Sequence, residues 1–296
     1  MPSYLKPDVL ARAESLGLKA RQVVEGLRVG DHKSPYKGFS VEFVQHREYV
    51  PGDDIRHIDW KSYGRSERYT IKQYEQETNY IAHVLVDNSN SMRYGAGESN
   101  KLEYAKLLAA SLSYLIIRQR DSVSLRIFNA GWAAELPVSS QLGHIHAVTH
   151  TLEETQPRDR TRIGPLLDEV ADRINRRGLV FVISDCLDDV DATLAGLRHL
   201  RYRGHEVVLF HVLHRDEVEF PLDGNIRFVG LEGFEELMTR PHLLRPAYLR
   251  VVNAYLDRMQ RGCDGSGVDY VRMLTTRPLV ATLGEYLVRR LQVGRR

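Results

Sequence analysis

Asp87, Ser89 and Ser91 stand at alternate positions of one short stretch, directly after the nearly continuous apolar run Ile81-Ala82-His83-Val84-Leu85-Val86. One carboxylate and two hydroxyls so spaced in a tight loop can all point into one small space. They offer hard oxygen ligands, which suit Mg²⁺ or a similar divalent ion. Two further positions extend the set. Thr161 follows Arg158-Asp159-Arg160, and Asp185 follows Leu179-Val180-Phe181-Val182-Ile183-Ser184, a second apolar run. Two carboxylates would balance a divalent cation and three hydroxyls would supply neutral oxygens. Water or an outside ligand would complete the octahedron that Mg²⁺ prefers. A site with one open position can take a partner's carboxylate. For Asp87 to Ser91 alone, the plainer alternative is a polar loop that caps the next helix.

These residues can meet only if the fold brings three loops to one edge. Apolar runs such as 81–86 and 179–183 read as central parallel strands covered on both faces, and open α/β sheets place ligand sites just beyond the carboxyl ends of such strands. The spacing predicts a helix over about 101–120, with Asn100 and Glu103 as a capping pair. It predicts a strand at 122–128 paired with one at 133–138 across Asn129-Ala130-Gly131. Helices follow near 141–155 and 163–177, then a helix near 189–203 and a strand at 206–213. This alternation predicts an α/β fold with a doubly wound, mostly parallel sheet. Beyond it come a hairpin near 225–237 around Glu232-Gly233, a helix at 243–259, a strand at 268–273 and a closing helix at 279–291.

Residues 1–78 differ in character and are expected to form a small N-terminal unit, with 79–296 as the main domain. Leu10, Ala13, Leu16, Ala20, Val23, Val24 and Leu27 make one apolar helical stripe, which Gly30 would end. Two half-buried strands, at 40–50 and 69–74, then flank the turn Pro51-Gly52-Asp53-Asp54.

Composition narrows the classes. With 296 residues, 43% hydrophobic and 27% charged, the chain reads as an ordinary globular protein with a substantial core. A formal net charge of +2 points to neither nucleic acid nor a membrane surface as partner. No apolar stretch approaches the roughly 18 residues of a membrane span. The start Met1-Pro2-Ser3-Tyr4-Leu5-Lys6-Pro7-Asp8 lacks the apolar core of a signal peptide. Two cysteines, Cys186 and Cys263, do not make a disulfide framework. The expected location is the cytoplasm.

The order Asp87-x-Ser89-x-Ser91, Thr161, Asp185 resembles the metal-ion-dependent adhesion site of von Willebrand factor type A domains. The preceding block is similar to the signature of the bacterial domain of unknown function 58 family. It comprises Gly38-Phe39-Ser40-Val41-Glu42-Phe43 and Arg47-Glu48-Tyr49-Val50-Pro51-Gly52-Asp53-Asp54-Ile55-Arg56-His57-Ile58-Asp59-Trp60. Together the two resemblances cover roughly residues 28 to 290. They imply a type A sheet, a metal site at the five named residues, and association with MoxR-type AAA+ ATPases as an adaptor or chaperone-like partner. Some family members carry amino-terminal membrane helices; membrane attachment is not expected to carry over here. The reading is a non-catalytic, Mg²⁺- or Mn²⁺-dependent protein-binding module that meets an acidic residue of the ATPase or its client. The alternative is a metal-dependent hydrolase that uses the same ion to activate water.

Other candidates read as structural. In the block 47–60, Asp53, Asp54 and Asp59 are expected to pair with arginines and Trp60 to pack against the type A body, with an interaction surface as the alternative. His144-x-His146-x-x-x-His150 reads as a solvated helix, and Cys186 as a small buried residue at a strand end. Asp264-Gly265-Ser266-Gly267 reads as a turn. A phosphatase would want a second aspartate where Ser89 stands, and neither a Gly-x-x-x-x-Gly-Lys loop nor a Gly-x-Gly-x-x-Gly follows the buried runs.

Overall fold

The computed structural model describes residues 40–50, 59–66, 68–77, 81–231 and 236–293. They fall into two compact units, one within Ser34–Tyr80 and one from Ile81 onward. The amphipathic stripe at 10–27 and the turn at 51–54 lie outside the described residues.

In the smaller unit, β1 (Ser40–Glu48) pairs antiparallel with β2 (Thr70–Glu77), with a register shift between Phe43 and Gln45. The short helix α1 (Trp60–Ser66) lies between them in sequence. Its start is held by Asp59, a buried residue whose Oδ1 accepts from the Ser62 amide at 3.2 Å. The rings of Tyr63 and Tyr69 stack at 4.5 Å. Within this unit the Trp60 ring meets Tyr63 edge-on, at 6.2 Å.

The larger unit is built on six strands: β3 (Ile81–Asp87), β4 (Ser122–Phe128), β5 (Trp132–Ser139), β6 (Leu179–Ser184), β7 (Glu206–Leu213) and, near the end of the chain, β10 (Asp269–Leu274). Their order across the sheet is β10-β7-β6-β3-β4-β5, parallel except for the edge strand β5. The expected doubly wound sheet is therefore what forms. Every residue of β6 is buried, as is all of β3 beyond Ile81, and this is why both read as unbroken apolar runs.

Helices α2 (Lys101–Arg118), α3 (His144–Glu154), α4 (Ile163–Arg173), α5 (Val190–Tyr202) and α6 (Arg215–Glu219) fill the connections. A two-stranded hairpin follows, β8 (Ile226–Phe228) with β9 (Leu237–Thr239), and then α7 (Pro241–Ser266) and α8 (Leu279–Val293). One face of the sheet packs Leu85, Val180, Val182, Val207 and Leu209 against residues of α4, α5 and α7. On the opposite face Phe210 stacks on Phe181 and meets Tyr286 of α8 edge-on, at 5.4 Å. Helix α7 runs longer than expected, so Asp264, Gly265 and Ser266 are its last turn rather than a free turn. Gly267 ends the helix in the left-handed conformation, with φ 68°.

The chain leaves β3 for β4 and β5 on one side and returns to β6 on the other. The carboxyl ends of β3 and β6 thus lie side by side where the strand order reverses, the crevice such sheets use for ligands. Asp87 closes β3 and Asp185 follows β6.

Candidate metal centre

Asp87 is fully buried and held from three directions. Its Oδ1 accepts from the Ser89 amide at 2.9 Å, and its Oδ2 accepts from the hydroxyls of Thr161 (2.9 Å) and Ser184 (2.6 Å). The Ser89 and Ser91 hydroxyls share a hydrogen bond of 2.9 Å. Two backbone bonds lace the loop after β3 to the loop before α4: Asn90 N donates to Asp159 O (3.0 Å) and Arg158 N to Asn88 O (3.2 Å). Asp159 adopts φ 56° in this tie, and two residues on Thr161 turns its hydroxyl to Asp87. Asp87, Ser89, Ser91 and Thr161 are therefore brought together as the sequence implied.

Asp185 is also fully buried, but its carboxylate is already engaged. Lys101 Nζ donates to Oδ2 at 2.8 Å, and the Leu187 amide donates to Oδ1 at 3.3 Å. Lys101, at the first position of α2, is 0% exposed and donates a second bond to Glu217 Oε1 at 2.6 Å. Burial alone would strip its proton, but the carboxylates of Asp185 and Glu217 outweigh that and hold the ammonium charged, above the ordinary lysine range. Glu217 Oε2 accepts in turn from the His214 amide at 2.7 Å. Below Asp185, His211 Nε2 faces the Asp185 carbonyl at 2.8 Å, so it must carry the proton, and Nδ1 accepts from the Tyr270 hydroxyl at 2.6 Å. Cys186 takes φ 51°, its amide bonded to Ser184 Oγ at 2.9 Å, and its buried thiol is pushed well up by desolvation and by Asp185.

Sequence reasoning missed Lys101, Ser184 and Glu217. For Lys101 a signal existed: it stands four residues before Ala105 and seven before Leu108, on the buried stripe of α2. A lysine at a helix start also opposes the helix dipole, so its place there calls for a partner. The three histidines at 144, 146 and 150 remain on a partly exposed helix, His150 facing Glu154 at 3.5 Å.

Charge and donor type together test the fit of a cation. Three carboxylates (Asp87, Asp185, Glu217) against one ammonium (Lys101) leave two negative charges in excess when all are ionised. The strain of that excess falls on Asp87, whose carboxyl is pushed up to about 7 by burial and by the Asp185 charge, against the bonds from Ser184 and Ser89. Among the described residues no group of three His, Cys, Asp or Glu side chains is gathered as ligands. The donors offered are the Asp87 carboxylate and the hydroxyls of Ser89, Ser91 and Thr161, hard oxygens of the type that suits a small divalent cation. Asp185 would contribute charge beside the ion, since Lys101 occupies its oxygen.

No helix among the described residues is long and apolar enough to cross a membrane. Residues 45–255 match the family described as "Protein of unknown function DUF58". Uncharacterized proteins of Mycobacterium tuberculosis and Mycobacterium bovis are each 26% identical over 302 residues, covering 98% of this chain and 93% of theirs. Among solved structures the chain is similar to BatB from Bacteroides thetaiotaomicron, with a TM-score of 0.47 and 16% identity over 72% of this chain and 99% of that one. A second is an aerotolerance-related membrane protein from Bacteroides fragilis, with a TM-score of 0.48 and 18% identity over 72% and 99%. A third is the SpRpn10 VWA domain, with a TM-score of 0.40 and 11% identity over 71% and 94%. The family match runs from β1 into α7 and takes in every residue of the candidate centre, and the chain belongs to the DUF58 family.

Proposed function

We propose that this chain is a non-catalytic protein-binding module whose contact is made through a divalent cation, Mg²⁺ or Mn²⁺. Asp87, Ser89, Ser91 and Thr161 would hold the ion, with Asp185 alongside. The observation that carries the reading is the convergence of these oxygens from two laced loops at the strand switch point, beside a buried excess of negative charge. When bound, the cation supplies a positive charge to which a partner's carboxylate can attach at an open position. The chain's own residues orient the centre: Thr161 and Ser184 fix Asp87 Oδ2, and Lys101 pins Asp185. The family resemblance alone suggests a MoxR-type AAA+ ATPase or its client as partner.

The environment supports binding over hydrolysis. A hydrolase needs a general base in reach of a metal-bound water. Here Lys101 is held charged, both His211 nitrogens are engaged, and the Cys186 thiol is buried and pushed up. Glu217 is tied to Lys101 and the His214 amide, and Asp87, its carboxyl pushed up to about 7, would itself be a ligand of the ion.

Calorimetric titration of Mg²⁺ and Mn²⁺ into the wild type, Asp87→Ala and Ser89→Ala tests the metal. At least a tenfold loss of affinity is expected in both variants, with circular dichroism confirming that they fold. Equal binding by all three proteins would overturn the assignment. Association with a purified MoxR-type ATPase should weaken in excess chelator, because the partner's carboxylate then loses the cation it would attach to and meets Asp87 without one. Equal affinity in chelator would move the interface elsewhere. Metal-dependent release of phosphate from ATP or simple phosphomonoesters, lost in Ser89→Ala, would favour the hydrolase.

A further inference from the structure

We propose that the acidic residue met by the cation is followed, in the partner, by a large apolar side chain that seats in a cavity beside Ser91. This rests on the metal reading above and names the chemistry of the segment it would recognise. The cavity has a volume of about 550 Å³, within the range of ligand pockets. Its walls are mainly apolar: Leu187, Val190, Val229, Leu231 and Tyr255. Three of these remain substantially exposed, Leu187 at 49%, Val229 at 58% and Leu231 at 45%, so covering them would remove apolar surface from water.

The cavity and the candidate centre share two loops. Ser91 lines the cavity while its hydroxyl bonds Ser89 in the Asp87 loop. Leu187 lines it while its amide donates to Asp185 Oδ1. The wall behind is fixed, since the Tyr255 hydroxyl donates to the Cys186 carbonyl at 2.7 Å. A ligand group at Ser91 is therefore at the edge of the same cavity as the apolar wall.

Charge decides which ligand fits. The charged residues lining the cavity are Asp188 and Glu217, both acidic and both committed. Asp188 Oδ2 accepts from the Ile163 amide at 2.9 Å, and Glu217 is bonded to Lys101 and to the His214 amide. A second acidic residue in the ligand would find no cation in the cavity and two like charges. The occupant is thus one acidic residue next to a bulky apolar one, not an acidic run.

Methyl NMR titrations of the full chain test this, using short Gly/Ser peptides that contain Asp-Leu, Asp-Ser or Asp-Asp, in excess Mg²⁺ and in excess EDTA. The Asp-Leu peptide should bind about tenfold or more tighter than Asp-Ser, and should shift the Leu187, Val229 and Leu231 methyls. Asp-Asp should bind no tighter than Asp-Ser. Val229→Ser and Leu231→Ser should abolish the Asp-Leu advantage while Mg²⁺ affinity by calorimetry stays unchanged. Equal affinity of Asp-Leu and Asp-Ser, or no peptide binding, in a protein that binds Mg²⁺ would overturn this inference and leave the metal reading standing. Undiminished Asp-Leu binding in EDTA would overturn the link between cavity and cation. Failure to bind Mg²⁺ at all would overturn both.

Discussion

Lys101 stands between two carboxylates with no solvent around it, and its removal separates two views of the centre. A buried pair that loses one member leaves an uncompensated charge, which costs about 3–5 kcal/mol. Here two carboxylates, Asp185 at 2.8 Å and Glu217 at 2.6 Å, would lose the same ammonium, while Asp87 already carries the burden of the neighbouring charge. Lys101→Met should therefore lower unfolding stability in urea by roughly that 3–5 kcal/mol. Mg²⁺ should restore more stability to the variant than it adds to the wild type, because it then supplies the only cation in the cluster. A loss below about 1 kcal/mol would mean that the carboxylates relax or protonate instead. Equal Mg²⁺ effects in the two proteins would mean that the ion does not sense Asp185.

At the scale of elements, α4, which begins just after Thr161, packs closely against α5. A Cβ on Gly196 would come within 2.8 Å of the Gly164 carbonyl and 2.7 Å of Leu167 Cβ, and one on Gly164 within 2.8 Å of the Ala192 backbone. Helix α4 starts two residues after Thr161, so pushing the helices apart should disturb the Thr161–Asp87 bond as well as the packing. Gly196→Ala should cost about 1–3 kcal/mol by overpacking and weaken Mg²⁺ binding. Gly265→Ala, in open space within the last turn of α7, should be neutral or stabilising by up to about 1 kcal/mol. Similar urea midpoints for the two variants would refute the close-packing account. The same contrast explains what the sequence conceals. The runs 81–86 and 179–183 and the strand at 206–213 were legible because burial on both faces leaves an unmistakable apolar pattern. The end of α7 was not, because Gly265 and Gly267 both read as a turn, with a third glycine, Gly262, close before them. Only the structure distinguishes them: a Cβ on Gly262 would lie 2.4 Å from Leu194, Gly265 faces open space, and Gly267 alone terminates the helix. Likewise Asp87, Ser89, Ser91 and Thr161 follow a legible pattern, whereas the pairing of Lys101 with residues 84 and 116 positions away leaves no local trace.

Across the whole molecule, covering both faces of the sheet places a titratable group where it cannot ionise. His83 lies in the middle of the central strand β3, its Nδ1 2.7 Å from the Ser124 hydroxyl and its Nε2 buried without a hydrogen-bond partner. Burial, then the charge of Arg126 and the proximity of His205, push its pKa down to about 3 from the ordinary 6.5. A folded pKa below the unfolded one means that folding excludes a proton. The stability this group allows is fully present above pH 6.5 and is lost as pH falls toward 3. At pH 5 the unfolded chain has gained its proton and the folded chain has not, so the loss from this residue is about 2 kcal/mol. Between about pH 7.5 and about pH 5, urea unfolding should show a pH-dependent change that differs by about 2 kcal/mol between the wild type and His83→Gln, the wild type losing more, whatever the substitution does at neutral pH. The comparison reads a difference of differences, so the intrinsic effect of glutamine in the strand cancels. Identical losses in the two proteins would place the acid sensitivity of the sheet in other groups and would show that His83 is protonated at little cost within the fold.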